Sequence, residues 1–202
     1  MKLCAPLLLA LTLSHVALAA PGEREVTVPK VPATIEEFLA LRDKLATSPD
    51  GGAAIYIVAA NMYAQDPVLG LQAITIATDM KWLEADKSGK GFKGYIPWRA
   101  EQQRLKERYL GGREYVPRCF VQGTTPDNGY TFPAGALKIK LKEQVDSAVD
   151  ATTFKLFIYC TGADSPRPIT LKKNDKGLWK AYEWSSLQLG PRPPVVKKSD
   201  DL

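Results

Sequence analysis

Histidine is almost missing from this sequence. Of 202 residues only His15 is one, and it lies within the first twenty, MKLCAPLLLALTLSHVALAA. That stretch has the make-up of an export signal: Lys2 in the n-region, a short leucine-rich run and a small-residue end. The run is too short for a spanning helix, and Ala17-Leu18-Ala19 offers a cleavage site before Ala20. A signal over 1–19 is therefore expected, and His15 leaves with it. The mature chain then has no imidazole, which excludes Ser-His-Asp and Cys-His catalysis and His-ligated zinc. Cys4 precedes the apolar run, so it is not placed as a lipid-attachment cysteine.

A strong charge of either sign is also lacking. The formal +5 becomes +4 once Lys2 is removed, and Arg99, Arg104, Arg108 and Arg113 sit among Glu101, Glu107 and Glu114. This dispersal argues against nucleic acid as a partner and leaves anionic envelope material open. Cysteine is scarce as well. Beyond Cys4 there are Cys119 and Cys160, both in expected strands of an exported chain, where a disulfide is the leading state and buried free thiols the alternative. Neither a metal nor a cofactor motif is found. Gly89-Lys90-Gly91-Phe92-Lys93-Gly94 matches G-x-G-x-x-G, but no strand is expected before it and no helix directly after, so it reads as a loop.

What is present divides by period. Residues 20–33 hold three prolines and form a linker or extended arm, in which Val26 and Val28 can add an edge strand. Thr34 opens a capping box with Glu37, and Phe38, Leu41 and Leu45 follow at helical spacing to about Ala46. Ser48-Pro49-Asp50-Gly51-Gly52 is expected to stop that helix before the apolar run Ala53 to Ala64, a helix buried on most sides. Asp66-Pro67 starts a third helix over Val68 to Thr78, and Pro97 to Leu110 makes a charged fourth ended by Gly111-Gly112.

Strands follow. Glu114 to Gln122 is expected as the first and Leu137 to Leu141 as the second, the latter with Lys138, Lys140 and Lys142 opposite the apolar face. Phe154 to Thr161, Arg167 to Lys172 and Leu178 to Trp184 then form a three-stranded meander, with Leu178, Lys180, Tyr182 and Trp184 on one face. The expected fold is α+β. An N-terminal helical layer (34–110) packs on one face of a four- to five-stranded antiparallel sheet (111–188), forming one domain over 34–188 before a flexible tail at 189–202.

For function, Asp127, Asp164 and Glu183 are the carboxylates to test for acid-base work, since glycosidic cleavage needs two carboxyls and no histidine. Turn capping accounts for Asp127 before Asn128-Gly129 and for Asp164 before Ser165-Pro166. Asp164, Arg167, Trp179 and Tyr182 are the binding candidates, with Tyr159 and Trp184 as further aromatics. The segments Gly162 to Pro168 and Gly177 to Leu187 resemble the C-terminal signature of an uncharacterised family of exported bacterial proteins. This resemblance implies no catalytic or binding residues. The G-x-W-K-x-x-x-W strand is also similar to the last strand of NTF2-like domains. The expected role is a non-catalytic exported domain, not membrane-spanning, that binds an envelope component or a protein partner. The alternative is a carboxylate-dependent hydrolase of envelope polysaccharide.

Overall fold

The computed structural model describes residues 22–196; the expected signal at 1–19 lies outside them. The chain opens with strand β1 (Glu23–Val28), followed by helices α1 (Ile35–Leu45), α2 (Pro49–Gln65) and α3 (Pro67–Ala77). A short hairpin, β2 (Leu83–Ala85) and β3 (Tyr95–Pro97), leads into α4 (Arg99–Tyr109) and the single-turn α5 (Tyr115–Arg118). Strands β4 (Leu137–Lys142), β5 (Thr153–Ile158), β6 (Arg167–Lys173) and β7 (Trp179–Glu183) follow, and a 3-10 turn at Ser185–Gln188 comes after them. The main sheet is antiparallel in the order β1-β4-β5-β6-β7. Helices cover one face of it, so the α+β expectation holds, and no helix among the described residues is long and apolar enough to cross a membrane.

The helical layer is built around α2. Ser48 caps it through the Gly51 amide and Pro49 sits in its first turn, so the helix begins before the two glycines instead of after them. Gly51 and Gly52 are there because neighbours leave no room for a side chain: a Cβ on Gly52 would lie 2.7 Å from the Trp179 Cβ. Every residue from Gly51 to Ala64 is buried, which is why the run lacks an amphipathic stripe. Each of Ile55, Ile57 and Met62 contributes roughly 1.5–3 kcal/mol by leaving water.

Glu114 to Gln122 is not a strand. It holds the turn of α5 and then a loop, and the sheet reaches five strands because β1 from the N-terminal arm pairs along β4. The reason lies in burial. Cys119, Phe120 and Val121 are consecutively buried, which a two-residue period cannot satisfy, and Pro117 has no amide to give a ladder. Asn61, buried in α2, donates to the Pro117 carbonyl at 3.1 Å and ties the α5 turn to the central helix. Cys119 ends α5 and Cys160 lies two residues past β5, both outside strands, yet they form a disulfide with Cα atoms 4.9 Å apart.

The glycine-rich loop is the tip of the β2–β3 hairpin. A strand does precede it, and another strand follows, so the helix N-terminus of a dinucleotide site is still lacking. Asp86 folds the tip by accepting from the Ser88 and Gly91 amides. At the other end of the chain, part of the segment expected as a flexible tail is tied down. Arg192 donates its amide to Gly162, Val195 donates to Pro126, and the Tyr130 hydroxyl donates to the Arg192 carbonyl at 2.5 Å.

Face assignment along β7 differs from strict alternation. Thr170 pairs with Glu183 while Leu171 pairs with Ala181, so the register shifts by one residue there. The bulge leaves Tyr182 and Glu183 on the outer face and sends Trp184 inward, where it is buried. Lys180 does not run out to water either. Its ammonium donates to the Ile76 carbonyl at the C-terminal end of α3, a helix end that lacks amide partners of its own.

Candidate functional site

Among the described residues no element covers the face of the sheet away from the helices, and the composition of that face follows from pairing register. Glu23 stands opposite Lys142, Glu25 opposite Lys140 and Thr27 opposite Lys138. Lys142 in turn opposes Phe157, Phe157 opposes Pro168, and Lys155 opposes Thr170. Because paired residues point to the same side, these groups lie on one surface. Tyr159, Phe157 and Tyr182 provide its aromatic rings, and each has a lysine over it.

Lys140 Nζ is 4.9 Å from the Tyr159 ring centre, Lys155 Nζ 5.4 Å from Phe157, and Lys172 Nζ 5.1 Å from Tyr182. Lys81, from the turn after α3, adds a second cation 4.3 Å from the Tyr182 ring and donates to its hydroxyl at 2.9 Å. These distances are within cation–π range. Lys138 and Lys140 are further paired with Glu25 and Glu23 at 3.0 and 2.8 Å. Lys140 and Tyr159 hold the Glu23 carboxyl below its ordinary range through their hydrogen bonds, and the same contact with Glu23 raises Lys140. No carboxylate forms an ion pair with Lys81, Lys142, Lys155 or Lys172 among the described residues. The surface is therefore cationic, with ring faces set between the charges.

A second feature sits at the edge of this surface. Trp82, Glu101, Arg104, Glu183, Trp184 and Ser185 line a cleft of about 220 Å³. Trp98, Trp82, Trp184 and Tyr56 run inward ring against ring, at centroid spacings of 5.3, 5.5 and 5.4 Å. Glu101 is buried at the cleft floor. One oxygen accepts from Trp184 Nε1 and Gln188 Nε2 at 3.1 and 2.7 Å, and the other from Arg104 at 2.6 Å. Burial raises the hydroxyls of Tyr56 and Tyr109 behind it, and the Glu101 charge adds to the effect.

The residues singled out from sequence are dispersed. Asp127 and Asp164 are exposed in separate loops that meet through Thr124 and Thr161, whose hydroxyls are 3.0 Å apart. Glu183 lies elsewhere: it pairs with Thr170, three positions along β6 from Arg167, or about 10 Å at strand rise. Arg167 begins β6 and is half-buried. Trp179 is buried between Gly52 and Phe154, and its amide donates to the Ala46 carbonyl. Tyr182 is on the open face. Sequence reading missed Glu101, whose helix looks uniformly charged, and Lys81, Lys155 and Phe157, whose meeting depends on register. Only the lysine alternation of β4 signalled the face.

A family model described as a domain of unknown function, DUF6935, matches residues 30–195. No curated protein and no solved structure matches the chain.

Proposed function

The chain belongs to the DUF6935 family, a domain of unknown function, and on that premise we propose that it is an exported, non-catalytic binding domain that holds an acidic polysaccharide of the envelope on its open sheet face. The observation that carries this reading is the row of rings, Tyr159, Phe157 and Tyr182, each under a lysine ammonium. Ring faces suit the C–H surfaces of sugars, and ammonium groups suit the carboxylates or phosphates between them. Because the strands are about 4.8 Å apart, the lysines and rings from Lys140 on β4 to Tyr182 on β7 span about 15 Å, a length that favours an extended polymer over a compact solute.

The test is titration of residues 20–202 with polygalacturonate and with neutral dextran at several salt concentrations. Binding of the acidic polymer that weakens as salt rises, and is lost in Lys155→Glu/Lys172→Glu, is the expected result. Equal affinity for dextran, or full binding by the double variant, would refute it.

A second reading, hydrolysis of such a polymer, draws on Glu101 and Glu183 lining one tryptophan-walled cleft. Both Glu101 oxygens are already engaged as hydrogen-bond acceptors, from Arg104 on one side and from Trp184 and Gln188 on the other, which suits an anchor better than a proton donor. Turnover that disappears in Glu183→Gln with unchanged thermal stability would favour the hydrolase.

A further inference from the structure

A concavity of about 950 Å³ lies away from the sheet, between the α2–α3 corner and α4. Its floor is apolar: Tyr63, Pro67, Val68 and Leu71. Val68 is 67% exposed there and presents its side chain to the groove. The opposite wall is the stripe Arg99, Gln103 and Lys106 of α4, one side of a helix by its spacing, and Lys90 from the β2–β3 tip also lines the groove.

Every ionisable group on this lining except the Tyr63 phenol is a cation. Among the described residues none of Lys90, Arg99 and Lys106 belongs to an ion pair. The carboxylates nearest in sequence are engaged elsewhere: Asp66 accepts from the Val68 and Leu69 amides, Asp86 from the Ser88 and Gly91 amides, Glu101 from Arg104, Trp184 and Gln188, and Glu107 from Gln103. An apolar trough with unmatched positive charge along one wall is complementary to a molecule that is aliphatic at one end and anionic at the other.

We infer that the α3–α4 groove is a binding site for a free single-chain amphiphile with an anionic head, the head held by Arg99 and Lys106 and the chain lying on Val68 and Leu71. This site is separate from the sheet face and does not depend on the polysaccharide reading. The fit is to a monomer from solution, because the groove's volume lies in the range of sites that take one small ligand.

Displacement of the fluorescent anion 1-anilinonaphthalene-8-sulfonate by dodecanoate, below its micelle-forming concentration, reads the site directly. Dodecanoate is expected to compete, and dodecyltrimethylammonium, of equal chain length and opposite charge, to fail. Arg99→Glu/Lys106→Glu should weaken dodecanoate by about tenfold or more, because both wall charges are reversed. Val68→Asp should weaken it as well, while Lys155→Glu/Lys172→Glu on the sheet leaves it unchanged. All three groove positions are exposed, so the variants are expected to melt with the parent. Equal competition by the two detergents, or undiminished binding in the double variant, overturns the inference. So does binding confined to phosphatidylglycerol vesicles with none to monomeric dodecanoate, which would make the groove a membrane-contact surface.

Discussion

Lys180 should give this protein a stability that rises through mildly alkaline pH. Its ammonium is enclosed near the end of α3 and donates to the Ile76 carbonyl. Burial brings its pKa down from 10.5 to about 8; the positive charges of Arg42 and Lys176 push the same way, while Asp79 and Asp43 oppose them. At pH below about 8 the folded chain bears the full cost of a buried charge. Between about 8 and 10.5 the folded lysine is neutral while the unfolded one keeps its proton, so folding sheds a proton and stability increases with pH. At about 1.4 kcal/mol per pH unit the whole effect is about 3 kcal/mol, of which about 2 kcal/mol falls between pH 7 and pH 9.5. Urea denaturation of residues 20–202 and of Lys180→Met at both pH values measures it. Loss of the hydrogen bond to Ile76 shifts the variant by a constant, and groups common to both proteins cancel in the difference. The parent should gain about 2 kcal/mol relative to the variant across that interval. Parallel profiles would mean that the ammonium is solvated and that the α3 terminus does not enclose it.

Other expectations test the frame that holds these surfaces. Replacing Cys119 and Cys160 by alanine opens a loop spanning 41 positions and should cost about 4 kcal/mol in urea denaturation. Gly70→Ala places a Cβ 2.0 Å from the Tyr63 Cα, so α2 and α3 must separate at a cost of about 3 kcal/mol, whereas Gly190→Ala meets no atom and should be nearly neutral by the same assay. Asp66→Ala removes the acceptor for two amides at the start of α3 and should lower stability by about 1 kcal/mol, measured as a fall in thermal midpoint.

The elements whose signals are local are those the sequence reveals. Thr34 with Glu37, Asp66 with Pro67, and the alternation of Leu137 to Lys142 each announce an end or a period within a few residues. The turns Gly162 to Pro166 and Lys173 to Gly177 set off the meander in the same way. Errors arise where a distant partner decides. Residues 114–122 look extended until Asn61 and Cys160 draw them toward α2 and the end of β5, and Gly51-Gly52 looks like a break until the backbones of Leu45 and Trp179 show why nothing larger fits. The bulge beside Thr170 has no mark in sequence, so the inward turn of Trp184 and the meeting of Tyr182 with Lys81 were not legible. Glu101 was hidden for a similar reason: its partners Trp184 and Gln188 lie more than eighty residues away.

The placement of β1 bears on the exposure of the sheet's edges. One margin of the sheet is closed where Thr78 bridges Ala181 and the Asp79 amide donates to its carbonyl. The other margin is β1, which presents Glu23, Arg24 and Glu25 and shields the Leu-Lys-Ile-Lys-Leu-Lys strand behind it. A protease that trimmed the first few residues of the folded domain would bare that strand, with its ladder unpaired and β-forming residues alternating along it. Loss of one short N-terminal arm would then leave a seed for edge-to-edge stacking.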